Sequence, residues 1–163
     1  RGRVAMIGLD TAMIWTMTVP PPGVTPESEP GFGPEPSADR ARILVVEDNY
    51  FVALSVESAL LDAGYEVLAV VDSGEEALQS VADAAPDLVL MDIRLAGELD
   101  GIDTAVALHG MNIASLFASA HCDDAIRARG AAADPRGWLV KPFTDAQMLA
   151  AVRQALETPQ KGH

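Results

Sequence analysis

The sequence predicts an α/β fold, a (βα)5 doubly wound parallel sheet of five strands with helices on both faces. Two observations predict it. From Arg42 onward, short apolar runs alternate with helix-length amphipathic segments, the pattern of repeated βα units. The runs are also nearly continuous in apolar residues rather than alternating, as a sheet covered on both faces requires. At 163 residues the chain has room for one domain with a full core and is short for two ordinary ones.

The elements follow in order. "RILVV" (42–46) is the first strand, and a helix over about 50–63 follows it, stopped by Gly64 in a left-handed conformation. "EVLAVV" (66–71) is the second strand, and Ser73 with Glu76 forms a capping box for a helix reaching about Ala84. Pro86 ends that helix and "DLVLM" (87–91) is the third strand. A short helix near 103–109 and the strand "IASLF" (113–117) come next. The segment 122–133 is a helix weakened by Gly130 and halted by Pro135. "GWLV" (137–140) is the last strand. Thr144 and Gln147 then box the start of a closing helix whose buried face carries Leu149, Val152 and Leu156.

Residues 18–40 hold seven of the eleven prolines among Gly, Glu and Ser, too little apolar surface to order a chain. The division expected is a disordered leader over 1–40, a folded domain over 41–158 and a short tail over 159–163, with no output domain after it. The 24 acidic and 11 basic residues give a net charge of -13, which repels a phosphate backbone and an anionic membrane alike. Direct nucleic-acid and membrane binding are therefore not expected. Cys122 is the single cysteine, so no internal disulfide forms, in keeping with a reducing cytoplasm. Asp10 interrupts the N-terminal apolar stretch, no cleavage pattern closes it, and no run reaches the ~18 residues of a membrane span.

In doubly wound sheets, function collects outside the carboxyl ends of the strands. Glu47 and Asp48 end strand one, Asp92 ends strand three, Ser119 lies just past strand four, and Lys141 ends strand five. Adjacent carboxylates at the mouth of a dry sheet repel each other and resist desolvation. A hard divalent cation reverses that balance, so Glu47 and Asp48 read as half of a Mg²⁺ site completed by an oxygen of Asp92. The simpler use of Glu47 and Asp48 is as caps for the first helix. His121 and Cys122 are adjacent near the site, but two chain neighbours do not make a tetrahedral metal site.

With "VVEDN", "LVLMDIRL", "FASAH" and "WLVKPF" occurring in order at strand ends, residues 42–157 resemble the receiver domains of bacterial two-component response regulators. These are the chemotaxis-type (CheY-like) domains, here of the single-domain kind. The resemblance implies strand order 2-1-3-4-5 and a signalling phosphoacceptor, not an enzyme in the ordinary sense. Asp92 would take a phosphoryl group from a histidine kinase or histidine phosphotransfer protein. Mg²⁺ would be held by Glu47, Asp48, Asp92 and the main-chain carbonyl of Arg94. Lys141 would neutralise one phosphoryl oxygen, with Lys141-Pro142 resembling the family's cis bond, and Ser119 would donate to another. Ser119 and Trp138 would form the switch, Trp138 standing where the family usually has Tyr or Phe. Output would reach a downstream protein, and a homodimer would use the fourth helix, fifth strand and fifth helix.

The loop after Asp92 departs from the family pattern, being slightly long and lacking the usual proline, and the third helix reads about a turn short. Other functions fit less well. A flavodoxin-like carrier needs a phosphate cradle where Glu47 and Asp48 would repel phosphate. An Asp-nucleophile phosphatase needs an acid where Arg94 stands. A pseudo-receiver that only binds partners would have no use for the full acidic set and Lys141.

Overall fold

The computed structural model describes residues 40–158. The expected tail, and the expected leader save for its last residue, lie outside the described residues. Five parallel strands, β1 (Arg42–Val46), β2 (Glu66–Val71), β3 (Leu88–Asp92), β4 (Ser115–Ser119) and β5 (Gly137–Val140), form one sheet in the order β2-β1-β3-β4-β5. The helices are α1 (Tyr50–Asp62), α2 (Gly74–Asp83), α3 (Gly101–Gly110), α4 (Asp124–Gly130) and α5 (Asp145–Glu157). The expected fold and strand order are those observed.

Successive strand residues point to opposite faces, and both faces are dry. Leu44, Val46, Val89, Met91 and Phe117 pack on the side of Ala77, Ile102, Ala105 and Leu108 from α2 and α3. Ile43, Val45, Leu88, Leu90 and Leu116 pack on the side of Val56 and Leu60 from α1 and of Met148 and Val152 from α5. The order reverses at β1, which lies between β2 and β3, so the crevice outside β1 and β3 is the topological switch point.

Several boundaries differ from the sequence reading, each for a local reason. β3 starts at Leu88 because Asp87 is spent on an anchor, its carboxylate accepting from Arg42 N–H at 2.7 Å. β4 starts at Ser115, two residues late, because Asn112 takes φ 61° and Ile113 N–H bonds Leu108 O at 3.0 Å to close α3. Ser119 is therefore the last residue of β4, not a residue beyond it. α3 starts at Gly101 and runs ten residues, since Asp100 caps it by accepting from Ile102 and Asp103 N–H, both at 2.9 Å. The short helix is α4, seven residues capped by Asp123 and continued by a 3₁₀ turn over Ala131–Ala133.

Gly64 has φ 89° after α1, as its place in the sequence implies. Thr144 and Gln147 form the full capping box of α5. Its buried residues are Met148, Val152 and Ala155, with Leu149 and Leu156 at the margin, a rotation of the face read from sequence. At α2, Ser73 accepts from Glu76 N–H at 3.4 Å.

Candidate functional site

Glu47, Asp48, Asp92, Ser119 and Lys141 each stand where a strand runs out, whereas Trp138 lies within β5. Glu47 follows β1 and stays tied to the sheet by its N–H bond to Val71 O at 2.9 Å, and it is buried. Asp48 is exposed beside it. Neither caps α1. Asn49 does so, its Oδ1 accepting from Phe51 N–H at 3.1 Å and Val52 N–H at 3.3 Å. The capping use of the two carboxylates is thereby excluded.

Asp92 closes β3, buried at 8% exposure, with Oδ1 accepting from Arg94 N–H at 3.2 Å. Lys141 follows β5, its N–H bonding Ser119 O at 2.9 Å, and the Lys141–Pro142 peptide is cis. The lysine reaches back over the rim, where Nζ donates to Glu47 Oε2 at 2.5 Å and to Asp92 Oδ2 at 2.6 Å. Carboxylate oxygens of Glu47, Asp48 and Asp92 all lie within 4.8 Å of one another. Residues from β1, β3 and β5 thus meet at one point, with Ser119 of β4 alongside.

The electrostatics follow from burial. Desolvation pushes the Glu47 carboxyl above the ordinary glutamate range, against the pull of Lys141. Burial alone would lower Lys141, but its hydrogen bonds to Asp92 and Glu47 outweigh that and raise it, so the lysine is fully charged. One cation shared by two buried carboxylates leaves the rim short of positive charge. Three carboxylates, one open to solvent, form an all-oxygen donor set that fits a hard divalent ion keeping several waters.

Ser119 is buried and its Oγ accepts from His121 N–H at 3.2 Å. Trp138 packs its ring 4.6 Å from that of Phe117, and the Arg127 guanidinium lies 5.3 Å from the Trp138 ring centre. Cys122 precedes the cap of α4 and joins no group of metal-ligating side chains among the described residues.

Two features escaped the sequence reading. Arg129 of α4 pairs with Asp100 at 2.5 Å and with Asp103 at 2.8 Å, clasping α4 to the start of α3. Burial acts to raise the Asp100 carboxyl, but hydrogen bonds from Arg129 and from the Asp103 and Ile102 amides prevail and hold it below the usual aspartate value. Gly101 abuts the strand end so closely that a β-carbon there would sit 1.9 Å from Asp92 O. Asp100 ahead of Gly101 is a helix-start signal in the sequence, two residues before the helix expected near 103–109.

Residues 43–153 match the family model for the response regulator receiver domain. The chain belongs to that family. Receivers of this kind are signalling phosphoacceptors that hold Mg²⁺ in an acidic pocket, and this receiver has the acidic cluster. It is 38% identical over 119 residues to the transcriptional regulatory protein PrrA of Mycobacterium tuberculosis, covering 71% of this chain and 49% of that one. It is 34% identical to the transcriptional regulatory protein PdtaR of the same species, covering 76% and 62%. The receiver spans about half the length of PrrA. Among solved structures, the receiver domain of a modulated diguanylate cyclase from Desulfovibrio desulfuricans aligns with TM-score 0.68 and 35% identity, over 72% of this chain and 94% of that one. The chemotaxis protein CheY4 of Vibrio cholerae aligns with TM-score 0.67 and 27% identity, over 71% and 98%. Among the described residues, no helix is long and apolar enough to cross a membrane.

Proposed function

We propose that the receiver accepts a phosphoryl group on Asp92 from a histidine kinase or histidine phosphotransfer protein and thereby switches its binding to a downstream protein. The observation that carries this reading is the convergence of Lys141 on Asp92 and Glu47, with Asp48 beside them, at the switch point of the sheet. Asp92 is the nucleophile: its carboxylate oxygen forms a bond to phosphorus as the phosphorus–nitrogen bond of a phosphohistidine breaks, and the imidazole leaves with the bond's electron pair. Such transfer asks for in-line positioning and neutralised charge more than for a strong base. Glu47, Asp48, Asp92 and the carbonyl of Arg94 would hold Mg²⁺, which supplies charge neutralisation for the phosphoryl oxygens.

Lys141 exchanges part of its contact with Glu47 and Asp92 for a phosphoryl oxygen, as a point charge. Ser119, now an acceptor from His121 N–H, turns its hydroxyl proton toward another oxygen. That motion biases α4, β5 and α5, the face offered to the downstream protein or to a second receiver. The relatives named as transcriptional regulators are longer than this chain. The net charge of -13 supports protein contact rather than direct DNA contact as the output of this domain. Incubation with acetyl phosphate and Mg²⁺ should add one phosphoryl group, seen by intact mass, and Asp92→Asn should abolish it. Phosphorylation of that variant at the wild-type rate would overturn the assignment. Ser119→Ala should still be phosphorylated while losing the change in partner binding.

A further inference from the structure

The loop over residues 93–100 leads from Asp92 to α3 and carries Arg94, whose carbonyl the proposed function gives to Mg²⁺. At its near end it is fixed by Gly101 N–H to Ile93 O at 2.9 Å and by Arg94 N–H to Asp92 Oδ1 at 3.2 Å. Its far end is held from α2. Glu75 Oε1 accepts from Glu98 N–H at 3.0 Å and from Leu99 N–H at 3.1 Å, two successive amides converging on one carboxylate oxygen. Next to these, Ala96 N–H bonds Asp72 O at 3.2 Å, and Ser73 and Ala96 form a parallel bridge.

The two partners are fitted to each other. Gly97 has φ 98°, a conformation that L side chains rarely adopt, and a β-carbon there would lie 2.5 Å from Glu75 Oε2. Glycine at that position lets the carboxylate lie against the loop. Bonds from its own amide and from those of Leu99 and Glu98 hold the exposed Glu75 below the ordinary glutamate range, so it accepts as an anion. Together with the Asp72–Ala96 bond, the Glu75 carboxylate constrains this loop from outside its own backbone.

We propose that Glu75 is a positioning residue which, through the amides of Glu98 and Leu99, holds the 93–100 loop in the shape that lets the Arg94 carbonyl complete the Mg²⁺ site. This rests on the proposed function, and it assigns to α2 a part in metal binding although α2 contributes no ligand. A group hydrogen-bonded directly to a metal ligand typically changes affinity by about 10–100-fold when lost. The carboxylate here acts through a loop, so the lower end applies.

The test uses the full chain and Mg²⁺ alone as probe, by isothermal calorimetry, with Glu75→Ala, Glu75→Gln and Gly97→Ala compared to wild type. Glu75→Ala should weaken Mg²⁺ binding by about tenfold while leaving the acetyl phosphate reaction near its wild-type rate at saturating Mg²⁺. Glu75→Gln keeps one acceptor oxygen and should recover most of that loss. Gly97→Ala should resemble Glu75→Ala. Without Mg²⁺, the amide resonances of Glu98 and Leu99 should shift in Glu75→Ala but hold near their wild-type positions in Glu75→Gln. Wild-type Mg²⁺ affinity in Glu75→Ala overturns the positioning role, as does a lower melting temperature with unchanged affinity. Wild-type protein that binds no Mg²⁺ would overturn both this role and the proposed function.

Discussion

Replacing Lys141 with Met removes the cation that two buried carboxylates share and keeps most of its aliphatic stem. The side chains of Lys141, Glu47 and Asp92 are 17%, 6% and 10% exposed, with contacts of 2.5 and 2.6 Å. Removing one partner of a buried ion pair costs about 3–5 kcal/mol, because the remaining charge is left uncompensated. The rim opens to solvent at Asp48, so about 3 kcal/mol is expected. With a urea dependence of roughly 2 kcal/mol per molar, that is a midpoint lower by about 1.5 M. The cause is like-charge crowding, so Asp92→Asn in the Lys141→Met background should recover stability instead of losing more. At one fixed, saturating Mg²⁺ concentration the more crowded Lys141→Met rim should bind the ion more tightly and so gain more stability than wild type, by about 1.4 kcal/mol for each tenfold difference in dissociation constant. Urea unfolding at neutral pH with and without Mg²⁺ measures each of these. A loss below about 1 kcal/mol, or further destabilisation by Asp92→Asn, would refute the crowding argument.

Gly101→Ala places a β-carbon 1.9 Å from Asp92 O and 2.8 Å from Ile93 Cα, backbone atoms with little room to move, so a loss of about 3 kcal/mol is expected in urea unfolding. Gly130→Ala sets a β-carbon 2.6 Å from Trp138 Cη2; the cost, about 1–3 kcal/mol, should largely vanish in a Trp138→Phe background, a non-additivity that a double-mutant cycle reads directly. Asp100 is held below its ordinary value of 3.8, so its contribution is present above that pH and is lost as pH falls through the depressed value. Arg129→Gln returns Asp100 toward 3.8, so its melting temperature should fall less than that of wild type between pH 7 and about pH 3; an equal fall would separate Asp100 from the clasp.

The sheet and the site were legible because both rest on strong signals. Buried parallel strands must be apolar throughout, and polar residues at their carboxyl ends have no purpose in a core. Glu47, Asp48, Asp92, Ser119 and Lys141 all stand at the rim for that reason. Less legible were boundaries that depend on three-dimensional choices. Ile113 is as strand-like in sequence as Leu116, yet it closes α3 because Asn112 turns left-handed. Nothing local distinguished Asn49 from Asp48 as the cap of α1, since both residue types cap well. The Arg129 clasp and the Glu75 contact join residues 26–29 and 23–24 positions apart on different elements, beyond the reach of any periodicity.

The same geometry gives the proposed event at the rim a contiguous route to α4. Ser119 and Phe117 lie two apart on β4 and so share a face, and Phe117 pairs in register with Trp138 of β5. Trp138 in turn fills the space that Gly130 leaves at the end of α4, with Arg127 over its ring. From hydroxyl to helix, the path is one face of two adjacent strands with no intervening layer. Arg129, one residue before Gly130, ties that helix back to Asp100 at the foot of the loop leading from Asp92. α4 is thus held from both sides of the site, through the sheet by aromatic packing and through the loop by an ion pair. Under the proposed function, a change that moves Ser119 inward and reshapes the loop after Asp92 would load both holds on a seven-residue helix whose buried residue is Gly130, which has no side chain to resist it.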